Sequence, residues 1–378
     1  MKLFDVYPLF PIEPVKAEGS WLWDKAGKKY LDLYGGHAVI SIGHNHPHFV
    51  ERLKDQLDKI SFYSNSVKNS LQEQLAEKLG ELSGYPDYEL FLCNSGAEAN
   101  ENALKLASFV TGRKKVIAFT KAFHGRTSGA VAATDNPKIV APFNANHEIE
   151  FLPFNDLKNA EEKITKEVSA VIIEGIQGVG GIHIPSNSFL ELLSKKCQEA
   201  GALLILDEIQ SGYGRTGKFF AHQYSLVKPD LITVAKGMGN GFPVGGVLIN
   251  PNIKPWSGML GTTFGGNYLA CAAALSVLEV IESEKLMDNA LLIGNHWMEQ
   301  LKNHQSIKEV RGLGLMIGFD LPESLASLRK DLLFKHNIFT GEAKPNTVRL
   351  LPSLALSKPE ADILLEALSV ELKEVAHS

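Results

Sequence analysis

Lys236 is the residue of this sequence best placed to do covalent chemistry. It ends the apolar run Leu231-Ile232-Thr233-Val234-Ala235 and opens Gly237-Met238-Gly239-Asn240-Gly241-Phe242-Pro243. An amine at the mouth of a buried strand, ahead of a glycine-rich turn, is a poor structural lysine. Burial lowers its affinity for a proton, and the neutral amine is a nucleophile toward aldehydes.

Asp207 stands in the same kind of place. It ends Leu203-Leu204-Ile205-Leu206 and is followed by Glu208-Ile209-Gln210-Ser211-Gly212. A carboxylate at the end of a buried strand faces a cleft or caps a turn. In a cleft it can keep a heterocyclic nitrogen protonated, so that the ring withdraws electrons from a carbanion. A Schiff-base lysine with an acidic partner for a pyridinium nitrogen is the signature of pyridoxal phosphate. Asn94-Ser95-Gly96-Ala97-Glu98-Ala99 lies between a strand and a helix. Gly96 permits close backbone approach, and a helix N-terminus offers free N–H groups to a phosphate. In Ala122-Phe123-His124-Gly125-Arg126, Phe123 is suited to stacking on a planar ring and Arg126 to forking onto a carboxylate. Gly261-Thr262-Thr263-Phe264-Gly265-Gly266-Asn267 sets hydroxyls before paired glycines, as a second phosphate contact requires. Thr347-Val348-Arg349-Leu350-Leu351-Pro352 puts an arginine in an apolar run, where a substrate carboxylate would be its partner. Taken singly, these motifs are equally helix caps, core aromatics and surface charges.

The elements that must position them alternate. Strands are predicted at Glu89 to Cys93, Lys115 to Phe119, Ala170 to Glu174, Leu203 to Asp207, Leu231 to Ala235 and Gly246 to Ile249, and helices at Ala97 to Val110, Phe189 to Ala200 and Tyr268 to Ser283. That order predicts an α/β fold with a mostly parallel sheet and ligands at the carboxyl ends of its strands. Residues 1 to 50 hold short strand signals, Gly19 to Trp23 and Lys29 to Leu33. From Glu284 onward the pattern is a helix, then Gly312 to Phe319, then two more helices around Val348 to Leu351. The two ends read as one small α+β domain (1–50 and 284–378) flanking a large domain (51–283). With 378 residues the chain is too long for one ordinary core, which also predicts two domains.

Composition narrows the class. Apolar residues make up 44% and charged residues 21%, as in globular proteins, and the net charge of -5 gives no reason to invoke nucleic acid or an anionic membrane. Cys93, Cys197 and Cys271 lack CxxC spacing, which fits a reducing cytoplasm and neither a disulfide framework nor a zinc site. No signal peptide and no bilayer-spanning stretch is read from the sequence.

In this order the motifs resemble the class III pyridoxal-phosphate aminotransferases of fold type I, nearest their acetylornithine and ornithine branch. The resemblance runs from Leu22-Trp23-Asp24 and Gly43-His44-Asn45-His46-Pro47 to the Arg349 segment. It implies that Lys236 bonds to the cofactor aldehyde and moves protons. Asp207 would hold the pyridine nitrogen and Gln210 lie near the ring hydroxyl. Gly96 and Ala97, with Ser95 beside them, would bind the phosphate. Phe123, with His124 next to it, would cover the ring. Thr263 would reach the phosphate of a neighbouring subunit, and Thr262 that subunit's substrate, so a homodimer is implied. Arg126 would take the donor carboxylate and Arg349 the α-carboxylate of the 2-oxo acid. The implied reaction moves the terminal amino group of an N-acylated ornithine, N2-acetyl-L-ornithine before N-succinylornithine, ornithine or 4-aminobutyrate, to 2-oxoglutarate in arginine biosynthesis.

Two positions depart from the family pattern. In Gln177-Gly178-Val179-Gly180-Gly181, Val179 stands where the family often has a glutamate that holds the second arginine. His37 stands where ornithine enzymes carry a tyrosine; it is expected to line the donor entrance and help choose the acyl group. A competing reading of another class is metal binding by His44, His46 and His48 on one face of a strand. Pro47 interrupts that strand and no acid cluster accompanies it. A dinucleotide site fares worse, because Gly312-Leu313-Gly314 lacks a third glycine.

Overall fold

The chain, described over residues 1–372 by a computed structural model, is organised around a seven-stranded sheet. The strands lie in the order Glu89–Cys93, Gly245–Ile249, Leu231–Val234, Leu203–Asp207, Val168–Glu174, Lys115–Phe119, Ile149–Leu152. The last five are mutually parallel, whereas Gly245–Ile249 runs antiparallel to both of its neighbours. The reversal has a local cause. Leu231–Val234 is joined to Gly245–Ile249 by the loop that holds Lys236, with no crossover helix of the kind a parallel pairing needs.

Side-chain alternation along these strands feeds two separate cores. Ile117, Phe119, Val171, Ile173, Leu204 and Leu206 pack with Phe189, Leu190 and Leu193 of helix Asn187–Ala200. Val116, Ala118, Ala170, Ile172 and Ile205 pack on the other face with Ala99, Ala103, Leu106 and Ala107 of helix Gly96–Thr111. All seven residues of Val168–Glu174 are buried, as in a parallel sheet covered on both sides.

The chain ends form two further sheets. Pro14–Glu18, Trp21–Asp24 and Lys29–Asp32 are joined by Ile338–Phe339, which pairs in parallel with Lys29–Asp32. Glu309–Leu313, Met316–Asp320, Thr347–Leu350 and Gly341–Ala343 form an antiparallel sheet from the C-terminal part. The Gly312 to Phe319 run is therefore a hairpin, turned at Gly314 with φ 53°. The two helices expected around Val348 to Leu351 are Leu328–Phe334 and Lys358–Glu371, with strand Thr347–Leu350 between them. Helices Pro47–Leu57 and Ser70–Ser83 add to the sequence reading. The first has proline in its opening turn and the second is capped by Asn69 accepting the Leu71 N–H. Among the described residues no helix is long and apolar enough to cross a membrane.

Both ends of the chain are tied to the loop after Lys236. Asn240 Oδ1 accepts the N–H groups of Ser41 and Ile42 at 2.9 and 3.1 Å, and its Nδ2 donates to the Gly43 carbonyl at 2.9 Å. Ser41 Oγ donates to the Gly237 carbonyl at 2.7 Å, and the Leu354 N–H to the Ser41 carbonyl at 2.8 Å.

Candidate active site

A cavity of about 380 Å³ opens at the carboxyl edge of the parallel strands, where such sheets place ligands. Lys236, Asp207, Gln210, Phe123, His124 and Arg126 line it, together with the turn Ser95-Gly96-Ala97. Residues far apart in sequence thus share one wall because the strands that end in them are neighbours.

Lys236 adopts a left-handed backbone with φ 47°, unusual for a residue with a Cβ. Desolvation lowers its affinity for a proton, opposed by the negative charges of Asp207 and Glu174, and Arg349 and Arg215 lower it further. The amine is thereby moved toward its nucleophilic form.

Asp207 is held on three sides. Its Oδ2 accepts Asn100 Nδ2 and His124 Nδ1, each at 2.8 Å, and its Oδ1 accepts the Ile209 N–H at 3.0 Å. An ionised carboxylate only accepts, so the His124 proton sits on Nδ1. His124 Nε2 is buried with no partner among the described residues. Gln210 donates through Nε2 to the His37 carbonyl at 3.2 Å, and its Oε1 is likewise buried without a partner.

The phosphate-type site is a helix start. Ser95 caps Gly96–Thr111 by accepting the Glu98 N–H, which leaves the N–H groups of Gly96 and Ala97 as the orphan donors of the first turn. The Phe123 loop approaches closely at Gly125, where a Cβ would lie 2.7 Å from the Ala97 Cβ. The cavity therefore offers an acceptor at Asp207 Oδ1, an acceptor at Gln210 Oε1 and two helix-terminal N–H donors. That set suits a phosphorylated, hydroxylated pyridine, with Lys236 beside it for an aldehyde.

Other predicted residues do not line this chain's cavity. Thr263 is exposed, and Thr262 Oγ1 accepts the Gly265 N–H at 3.2 Å and Asn94 Nδ2 at 3.3 Å. Arg349 is buried; its Nε donates to the Glu342 carbonyl at 2.8 Å, its guanidinium lies 6.0 Å from the centre of the Tyr34 ring, and its Nη1 has no partner among the described residues. His37 is hydrogen-bonded through Nδ1 to the Tyr34 hydroxyl, and desolvation with the charges of Lys236 and Arg349 holds its proton affinity down to about 4. His44, His46 and His48 each meet a separate carboxylate, of Asp32, Glu284 and Glu279. His48 stands in helix Pro47–Leu57, not on a strand with the others. Among the described residues no cluster suited to a metal is present.

Two residues were not singled out from the sequence. Asn100 bridges Asp207, the His124 carbonyl and the Thr233 hydroxyl. Glu174 ends strand Val168–Glu174 and lines the cavity. The position that marks Asp207, the last residue of a buried apolar strand, marks Glu174 equally. Asn100, inside a helix, carries no such signal.

Residues 5–372 match the family Aminotransferase class-III. An acetylornithine aminotransferase of Archaeoglobus fulgidus is 42% identical over 354 residues, 93% of each chain. One from Bacillus subtilis is 41% identical over 99% of this chain and 98% of its own. Among solved structures, an ornithine aminotransferase of Toxoplasma gondii, described with partial occupancy of PLP at its active site, superposes with a TM-score of 0.89. It is 29% identical and covers 98% of this chain and 92% of its own.

Proposed function

We infer the reaction from one premise: the chain belongs to the class III aminotransferases, enzymes that work with pyridoxal phosphate. We propose that it moves the δ-amino group of N2-acetyl-L-ornithine to 2-oxoglutarate, giving the semialdehyde and glutamate, as a step of arginine biosynthesis. The observation that carries the chemistry is a desolvated Lys236 sharing one cavity with Asp207. The observation that favours this donor is the acetylornithine aminotransferases that match at about two-fifths identity over nearly the whole chain.

Pyridoxal phosphate, when bound, contributes an aldehyde that takes up the amino group and a ring that stores the electron pair released at the carbon bearing nitrogen. The rest is assigned to this chain. Lys236 is the covalent anchor, and its nitrogen removes and returns the proton at that carbon. Asp207 would keep the ring nitrogen protonated, and is itself held in place by His124, Asn100 and the Ile209 N–H. Gly96 and Ala97, with Ser95 at the cap, bind the phosphate through backbone N–H groups. Gln210 would meet the ring hydroxyl, and Phe123 would cover the ring; both line the cavity. Arg126, exposed at the cavity wall, binds the donor carboxylate, and Arg349 binds the α-carboxylate of 2-oxoglutarate, since forked guanidinium pairs suit both. His37 lines the donor entrance.

Thr262 and Thr263 do not reach their own chain's cavity, and we assign them to the site of a second copy in a homodimer. Residues 51–283 are read as the cofactor-carrying domain, with 1–50 and 284–378 as the small one, of which 373–378 lie outside the described residues. Measuring kcat/KM side by side for N2-acetyl-L-ornithine, N2-succinyl-L-ornithine, ornithine and 4-aminobutyrate, with 2-oxoglutarate as acceptor, tests the donor assignment. The acetylated donor is expected to lead; a higher value for any of the other three overturns it.

A further inference from the structure

Glu174 has no role in the reaction as set out above, yet it is built into the cavity. It is 6% exposed and is the register partner of Asp207 on the neighbouring parallel strand. Its Oε1 accepts the Phe123 N–H at 3.0 Å, and its Oε2 accepts the Gly178 N–H at 2.9 Å. One carboxylate therefore joins the loop that carries the aromatic residue to the turn that carries Val179. Two N–H donors, one on each oxygen, fit an ionised carboxylate, which only accepts. No lysine, arginine or histidine forms a salt bridge with it among the described residues.

The charges around it come from every neighbouring element. Asp207 ends the adjacent strand, His124 sits on the loop after Lys115–Phe119, Lys236 follows Leu231–Val234, and Arg349 lies on Thr347–Leu350. Burial raises the proton affinity of Glu174 to about 7; Asp207 adds to this, while His124 and the two backbone donors oppose it. In return, Glu174 is, after Asp207, the second negative charge that favours a proton on Lys236.

We propose that Glu174 is a positioning residue for the reaction: it anchors the Phe123 backbone at the cavity wall and sets a second carboxylate beside Asp207 in the cavity that holds Lys236. This rests on assigning Lys236 and Phe123 to the cofactor. Both effects arise from one carboxylate: its two oxygens are bonded to two different loops, and it lines the same cavity as Asp207 and Lys236.

The test is made on the purified holoenzyme without any amino donor. The visible absorption of bound pyridoxal phosphate is titrated with pH, and the cofactor dissociation constant is measured separately. Glu174→Gln keeps the shape but offers an NH2 to one of two N–H donors, so one bond is lost and the charge disappears. The spectral midpoint is expected to fall by about one pH unit, the usual size for loss of a nearby opposite charge. Cofactor binding is expected to weaken about tenfold, as for one charge-assisted hydrogen bond. Glu174→Asp keeps the charge but is a methylene too short to reach both N–H groups. It should retain the wild-type midpoint while losing cofactor affinity. The proposal fails if either quantity stays at its wild-type value in Glu174→Gln, or if Glu174→Asp moves the midpoint as far as Glu174→Gln. Lys236→Ala tests the underlying assignment: a spectral titration like the wild type's in that variant would overturn the assignment and the proposal together.

Discussion

Replacing Asn100 by alanine probes how the acid of the site is held. Asn100 is fully buried, and its Nδ2 donates to Asp207 Oδ2 at 2.8 Å and to the His124 carbonyl at 2.7 Å, while its Oδ1 accepts the Thr233 hydroxyl at 2.7 Å. Alanine removes all three bonds and leaves three buried polar groups with fewer partners. A hydrogen bond to a charged group contributes about 2 kcal/mol and a neutral one about 1 kcal/mol, so the expected loss is about 4 kcal/mol. For 378 residues, with about 2.1 cal/mol/K of unfolding entropy per residue, this lowers Tm by about 5 °C. Asn100→Asp, equal in shape, sets a second carboxylate against Asp207 and should fall further. Differential scanning calorimetry on the holoenzyme measures both. An Asn100→Ala protein within about 1 °C of wild type would mean that the three bonds contribute nothing net.

Three other outcomes follow from the same geometry. Gly125 has φ 136° and a Cβ there would lie 2.7 Å from the Ala97 Cβ, so Gly125→Ala must displace the helix start; equilibrium dialysis should show cofactor binding weakened about tenfold or more, and unchanged binding would mean that the loop does not define the phosphate site. His37 is neutral near pH 7 because its proton affinity is held down to about 4, so His37→Ala should change the ranking of donors and not the pH dependence of that ranking; identical kinetics with every donor would remove it from the entrance. Glu174 has a proton affinity raised from 4.5 to about 7, so the folded state holds the extra proton between those values. Its stabilising contribution is complete below about pH 4.5 and is lost, by about 3 kcal/mol, as pH rises through about 7. Urea midpoints taken at about pH 5 and about pH 8 should therefore fall less in Glu174→Gln than in wild type, and an equal fall in both speaks against the raised affinity.

Much of the fold was legible because its elements are marked by local periodicity. Lys115–Phe119, Leu203–Asp207 and Tyr268–Ser283 occur with the bounds read from the sequence, since each is an apolar run closed by a change in pattern. Ile149–Leu152 carries too weak a pattern to predict a strand, being short, on the sheet edge and only partly buried. Ile338–Phe339, two residues long, is a strand only through its partner Lys29–Asp32, more than 300 residues earlier in the chain.

Which residues stand at the ends of buried strands and at helix starts follows from local pattern, because hydrophobic period, caps and glycines act within a few residues of one another. Lys236, Asp207 and the Gly96 turn are of this kind. That Glu174 lies beside Asp207, that Asn100 and His124 close on the same oxygen, and that the charge of Arg349 bears on Lys236 are consequences of how distant segments pack. Strand order depends on crossover connections and on packing between distant segments, which no local pattern encodes. Proton affinity depends on the groups that replace water around an amine, and for Lys236 the charged ones come from both the sheet region and the C-terminal part of the chain.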